Sequence, residues 1–303
     1  MSQQRVRISQ RRLETFITEF LSGISNADTR GTYDRSLREF VRWIAKRDDV
    51  RFAESDVRRY KRYLLKSRKL SGVSVSTYLT ALRRLCDYLV RRKVLRVNPA
   101  EAVEGVSRPR KHVRASLSDA DVKRLLNVID SRGEIGSRDR AIVQLMLDCG
   151  LSEAEVINAN VEDFTAVGDG GKLNVRSKGR MRKDRSVKLP QSSVAMLRNY
   201  RRVSREVNGD PKSEDPLFLS AGNRTRGERM STRGLRGVIN QYLLTAGLKR
   251  NGAVTPHSLR HTAACRMAKA GATPEEIRER MRLGTVETAK LYWGTSMALK
   301  RRG

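Results

Sequence analysis

Four successive apolar stripes at helical spacing fill the first third of the chain, and this periodicity limits the fold more than any other feature. Leu13, Phe16, Ile17, Phe20 and Leu21 share one helix face, and Tyr33, Leu37, Phe40, Val41 and Ile44 repeat the pattern. Val57, Tyr60 and Leu64 make a third stripe; Val75, Tyr78, Leu79, Leu82, Leu85 and Leu89 make the longest. Four helices with their stripes inward suffice for a compact bundle. Tyr33, Tyr60, Tyr63, Tyr78 and Tyr88 are read as part of its core rather than as platforms for stacked bases. The polar faces carry many cations, Arg42, Arg83 and Arg84 among them. A solvated face accounts for any single one, and a bound polyanion accounts for the set.

Asn98-Pro99 ends the last long helix, and the stretch through Arg108-Pro109-Arg110-Lys111 has the composition of an exposed linker. The expected division is a helical domain over 1–104, a linker over 105–113 and a second domain over 114–303. Ser118-Asp119-Ala120-Asp121 reads as a capped helix start, and an apolar helix follows from about 138 to 149. Leu173-Asn174-Val175 and Ser186-Val187-Lys188-Leu189 then read as short strands around a basic turn, Ser177-Lys178-Gly179-Arg180. Helical patterning resumes from about 190. The fold class is therefore mainly α with a small β-sheet or hairpin.

The 303 residues carry a net charge of +30, with 27 basic and 12 acidic residues in 1–113 against 36 and 21 in 114–303. An equal excess on both sides of the linker suits two domains that contact one extended polyanion, and nucleic acid is the leading candidate. No apolar run is long enough to span a membrane, and the first residues lack the apolar stretch of a signal peptide, so a cytoplasmic protein is expected. Cys86, Cys149 and Cys265 are too few and scattered for a disulfide framework or a zinc site. They are read as reduced, buried thiols.

Two of the three histidines fall in Thr255-Pro256-His257-Ser258-Leu259-Arg260-His261. On a helix beginning near Pro256, His257 and Arg260 share a face, and an imidazole beside a guanidinium can hold phosphodiester oxygens while charge builds on them. Tyr292 is the one tyrosine beyond this cluster. With Lys178 in the basic turn, these residues form a set for phosphoryl transfer that needs no metal: a nucleophile, an acid for the leaving oxygen and a phosphate clamp.

The chain resembles the tyrosine recombinases, or phage-type integrases, over nearly its whole length. The likeness rests on Thr32-Tyr33-x-x-x-Leu37-x-x-Phe40-x-x-Trp43, Asn98-Pro99-Ala100, Gly150-Leu151-x-x-x-Glu155, Lys178, His257-x-Leu259-Arg260-His261 and Tyr292. It implies a helical core-binding domain joined to a mixed α/β catalytic domain, closing on double-stranded DNA as a C-shaped clamp. It also implies that Tyr292 attacks the scissile phosphate to give a 3′-phosphotyrosine, that Lys178 protonates the 5′-oxygen, and that His257 and Arg260 stabilise the transition state. Glu155 and His261 would orient these groups. Arg42, Arg83, Arg84, Arg180, Arg182 and Arg233 would contact DNA. No cofactor or metal is implied, and the active assembly would be a tetramer on two DNA sites. Because the helical domain starts almost at residue 1, a recombination site without extra arm sequences is expected.

Two positions depart from the family pattern. Ser152 stands where an arginine is usual, and Leu283 where a histidine or tryptophan is usual. Losing a preorganised donor costs about 3–4 kcal/mol of transition-state stabilisation. Three accounts of Ser152 stay open: an engineered substitution, replacement of the charge by Arg138, Arg140, Arg180 or Arg182, or lost activity. Leu283 reads as helix packing. A recombinase with residual activity is favoured over the alternatives, a binding-only accessory protein or a topoisomerase-like nicking and closing enzyme.

Overall fold

The computed structural model describes residues 8–47, 52–106, 115–176, 182–248 and 253–300, with side chains as far as Trp293. Internal contacts divide the chain into two compact units, Met1–Pro109 and Arg110–Gly303.

The first unit is a bundle of α1 (Gln10–Ser22), α2 (Ala27–Ile44), α3 (Glu54–Lys66) and α4 (Gly72–Arg91). Ser9, Asn26 and Ser71 cap α1, α2 and α4 by accepting from main-chain N–H groups of the first turn. The stripes face inward: Leu13, Leu37, Leu64, Leu79, Leu82, Leu85 and Leu89 are all buried. The centre is aromatic, with the Tyr60 ring centroid 4.9 Å from Phe40 and 5.3 Å from Trp43. Tyr33, Tyr63, Tyr78 and Tyr88 are half-buried against the same core. Beyond α4, Asn98 donates to the Arg83 carbonyl (3.1 Å) and Asp87 Oδ1 (2.6 Å), and it accepts from Ala100 N–H (2.8 Å). Arg83 answers by donating to the carbonyls of Ala100 (3.2 Å) and Val103 (2.9 Å). Through these bonds the half-buried Arg83 guanidinium fastens the segment after α4 to the bundle.

The second unit opens with α5 (Asp119–Asn127), whose Ser118 and Asp121 make a capping box. It continues through α6 (Glu134–Asp148), the short α7 (Glu153–Ile157) and a 3₁₀ turn (Val161–Asp163). Strands β1 (Phe164–Val167), β2 (Gly170–Val175) and β3 (Arg185–Leu189) form an antiparallel sheet in the order β1-β2-β3. Two strands were legible in the sequence. The third, β1, pairs Phe164 with Leu173 and Val167 with Gly170, which leaves Gly168-Asp169 as a two-residue turn. Gly168 has φ +55°, the conformation that the first position of such a turn demands. The basic turn with Lys178 and Arg180 lies outside the described residues.

Helices α8 (Gln191–Asn208), α9 (Thr232–Thr245), α10 (Pro256–Lys269), α11 (Pro274–Arg280) and α12 (Val286–Lys300) complete the unit. Its main core lies among α5, α6, the sheet, α8 and α9, where Leu125, Leu145, Leu173, Leu197 and Leu235 are fully buried. A second, smaller cluster joins α10, α11 and α12 through Ala263, Ala264, Ile277, Met281, Ala289 and Tyr292. Small residues on α10 let α12 lie close, and this brings Tyr292 to the site.

Candidate phosphoryl-transfer site

Pro256 at the first position of α10 has the fixed φ that starts a helix, and the Ser258 hydroxyl accepts from Thr255 N–H (3.1 Å). Further along, Thr262 accepts from Leu117 N–H (2.8 Å) and donates to the Ser258 carbonyl (2.8 Å), fixing the helix against the start of the unit. His257 is half-buried on the first turn, whereas Arg260, three residues on, is 6% exposed.

Arg260 points into the unit. Its Nη1 donates to the Gly150 carbonyl (2.6 Å) and to Glu155 Oε2 (2.9 Å), and its Nη2 donates to the Met281 carbonyl. Burial pulls this guanidinium below its ordinary pKa range. Glu155 opposes the shift, the like charge of Arg282 adds to it, and Tyr292 is close enough to oppose it as well. Tyr292 is buried on α12 with its ring centroid 5.0 Å from His261. His261 is fully buried, with Nε2 3.8 Å from the Cys265 sulfur. Leu283 packs on the same cluster.

Ser152 has a local role. It is the N-cap of α7: its hydroxyl accepts from Glu155 N–H (3.3 Å), and its own N–H donates to Glu155 Oε2 (2.7 Å). The Glu155 carboxylate is thus both half of a capping box and the counter-ion of the arginines. Burial pushes its pKa up, but the Arg282 and Arg260 guanidiniums and the Ser152 N–H outweigh burial and leave it below the usual glutamate value.

The residue that sequence reasoning missed is Arg282. Its side chain is 4% exposed. Nε donates to Glu155 Oε1 (2.6 Å), and Nη2 donates to the Gly150 carbonyl (3.0 Å) and to Glu155 Oε2 (3.1 Å). It reaches this place through a left-handed backbone, which Lys93 also adopts after α4. Where α11 ends, Leu283 N–H bonds the Arg278 carbonyl (2.9 Å) and Arg282 N–H bonds the Glu279 carbonyl (3.0 Å). That pair of bonds is a Schellman motif, whose left-handed position normally belongs to glycine. Arg282 occupies it with φ +54°, at a cost of about 1–2 kcal/mol for a residue with a Cβ.

Arg138 and Arg140, named from the sequence as substitutes for the missing charge, are held elsewhere. Arg138 is buried in an ion pair with Asp139 and donates to the Leu219 carbonyl (2.6 Å). Arg140 donates to the Leu126 carbonyl. Arg182 is exposed beside the sheet, lining one depression with Arg176, Lys183 and Arg229. Lys178 and Arg180 fall outside the described residues. Arg42 and Arg84 stay on the surface in ion pairs with Glu39 (2.9 Å) and Asp87 (3.8 Å), and Arg233 is exposed in the first turn of α9. The three cysteines are buried and unbridged, and burial pushes each thiol upward. Among the described residues no cluster of histidine, cysteine and carboxylate side chains stands ready to hold a metal, and no helix is long and apolar enough to cross a membrane.

The site also depends on Gly150. It has φ +58°, and a Cβ there would fall 2.3 Å from the Met281 sulfur. Gly150→Ala is expected to lose about 2–4 kcal/mol of stability from left-handed strain and overpacking together. Denaturant titration against the unmodified protein measures it; a loss below about 1 kcal/mol would contradict this account of the Gly150–Met281 contact.

The model of the phage integrase family matches residues 115–298, and that of the phage integrase N-terminal SAM-like domain matches residues 15–93. The tyrosine recombinase XerC of Syntrophus aciditrophicus is 29% identical over 232 residues, 76% of this chain and 72% of the relative. XerC of Escherichia coli O1:K1 is 27% identical over 262 residues, 86% of this chain and 83% of the relative. Among solved structures, the XerH site-specific recombinase bound to a palindromic difH substrate after cleavage superposes with a TM-score of 0.75 at 17% identity. That match covers 98% of this chain and 84% of XerH. A lambda integrase dimer bound to a core site gives 0.67 at 15% identity, covering 92% and 94% of the two chains. The structural likenesses establish a common fold. Because the first family model alone accounts for more than half of the sequence, the chain belongs to the phage integrase family of tyrosine recombinases.

Proposed function

We propose that this protein is a site-specific DNA recombinase in which Tyr292 is the nucleophile, His257 and Arg260 bind the scissile phosphate, and Lys178 protonates the leaving oxygen. The observation that carries the reading is the meeting of Arg260, His261 and Tyr292 in one buried neighbourhood of α10 and α12. A guanidinium next to a phenol provides a cation where phosphorane charge develops and a nucleophile on the same side.

In the first step the Tyr292 phenol loses its proton to solvent water and its oxygen attacks phosphorus. The Oη–P bond forms as the P–O5′ bond breaks, and the 5′-oxygen takes a proton from Lys178. The 3′-phosphotyrosine conserves the energy of the broken bond, so attack by the 5′-hydroxyl of a partner strand reseals DNA without a cofactor. Glu155 holds Arg260 in place from below, and His261 supports the Tyr292 ring. The active assembly is a tetramer on two duplex sites, in the cytoplasm. The basic excess, +15 on each side of residue 113, supports a duplex contacted by both domains.

The test uses a supercoiled plasmid carrying two copies of a duplex selected by the protein from a randomised pool. Deletion or inversion of the segment between the copies is the expected product. Relaxation without exchange would identify a nicking and closing enzyme, and binding without either would identify an accessory protein.

A further inference from the structure

We infer that Arg282 supplies the second phosphate-binding cation of this site, in the place that Ser152 leaves uncharged. The assignment rests on the strand-transfer reading above and deepens it. Ser152 N–H, Arg260 Nη1 and Arg282 Nη2 all donate to the same atom, Glu155 Oε2, at 2.7, 2.9 and 3.1 Å. Arg282 therefore brings its guanidinium to the atom that the Ser152 main chain itself bonds. Both guanidiniums also share the Gly150 carbonyl. They arrive from separate segments, Arg260 from α10 and Arg282 from the end of α11, and nearly the whole of each side chain is buried.

The charge balance points to an anion. Among the described residues Glu155 is the sole carboxylate within ion-pair distance of either arginine, so the cluster carries two positive charges against one negative. A structural ion pair needs one arginine. A second, like-charged one buried beside it is costly even with the Gly150 and Arg280 carbonyls accepting from it, and an anionic ligand would offset that cost. Tyr292 is close to Arg260, so a phosphate it attacks would lie beside Arg260, which shares Glu155 with Arg282.

The experiment is single-turnover cleavage of a nicked duplex carrying the selected site, with either an ordinary scissile phosphodiester or a neutral methylphosphonate in its place. Arg282→Ala is expected to slow phosphodiester cleavage about 10²–10³-fold. On the methylphosphonate, which lacks the charge that Arg282 would neutralise, the same substitution is expected to cost less than about tenfold, the preserved binding term being small by comparison. Equal losses on the two substrates would make Arg282 a structural support for Glu155 and overturn the assignment. The double variant Ser152→Arg with Arg282→Gly, which relieves the backbone while moving the charge, is expected to recover most of the lost rate; no recovery in a folded, DNA-binding double variant would also count against it. If the unmodified protein cleaves neither substrate, the strand-transfer reading itself fails, and the assignment with it.

Discussion

A Tyr292→Phe protein is expected to bind its DNA site with the affinity and salt dependence of the parent while forming no covalent adduct, a loss of about 10⁴-fold or more in cleavage. The substitution removes one oxygen and keeps the ring. The ring belongs to the buried cluster with Ala263, Ala264, Met281 and Ala289, which therefore keeps its volume. On the proposed reading, binding would depend on phosphate contacts from cations in both units and not on Tyr292, so the slope of log K against log salt should stay constant. Gel-shift titrations at several salt concentrations, run beside denaturing gels for the adduct, separate the two effects. A Phe variant that still forms an adduct would transfer the nucleophile to another residue.

The second large effect is on Glu155. Glu155→Ala leaves Arg260 and Arg282 buried without a counter-ion and removes the side-chain half of the α7 capping box. Breaking a buried pair from one side costs about 3–5 kcal/mol, and here two cations lose their partner. The expected result is a protein close to its unfolding threshold at 37 °C. Glu155→Gln keeps the shape and one acceptor, and should fall between the parent and the alanine variant. A pH series adds a sign. The Glu155 carboxyl is depressed in the folded state, so its contribution is fully present above the unfolded value of about 4.3 and is lost as pH falls through the lower folded value. The parent should therefore lose more stability than Glu155→Gln on acidification below about pH 4. An equal loss in both would mean that Glu155 is not the depressed group.

The helical domain was legible because each of its helices buries a long stripe, and stripes such as Leu79, Leu82, Leu85 and Leu89 show at sequence level without knowledge of the partner. Strand β1 was not, because among Phe164, Thr165, Ala166 and Val167 only Phe164 is buried, and a single inward residue makes no alternation. Arg260 and His261 come near Tyr292 because small residues, Ala263, Ala264 and Ala289 among them, let α10 and α12 pack closely. Arg282 escaped notice. It meets Glu155 across 127 positions, and it gets there by a left-handed residue at a helix end, a conformation that helix-end patterns assign to glycine. Motif reading saw the charge missing at Ser152 and looked among Arg138, Arg140, Arg180 and Arg182. Two of these are committed to carbonyls elsewhere, a fact that only the packing reveals.

The most direct measurement traps the unmodified protein on a nicked suicide duplex and maps the adduct by mass spectrometry after protease and nuclease digestion. The account predicts a nucleotide 3′-phosphate on the peptide containing Tyr292. A nucleotide on any other residue, or a site that is bound and never cleaved, would contradict it.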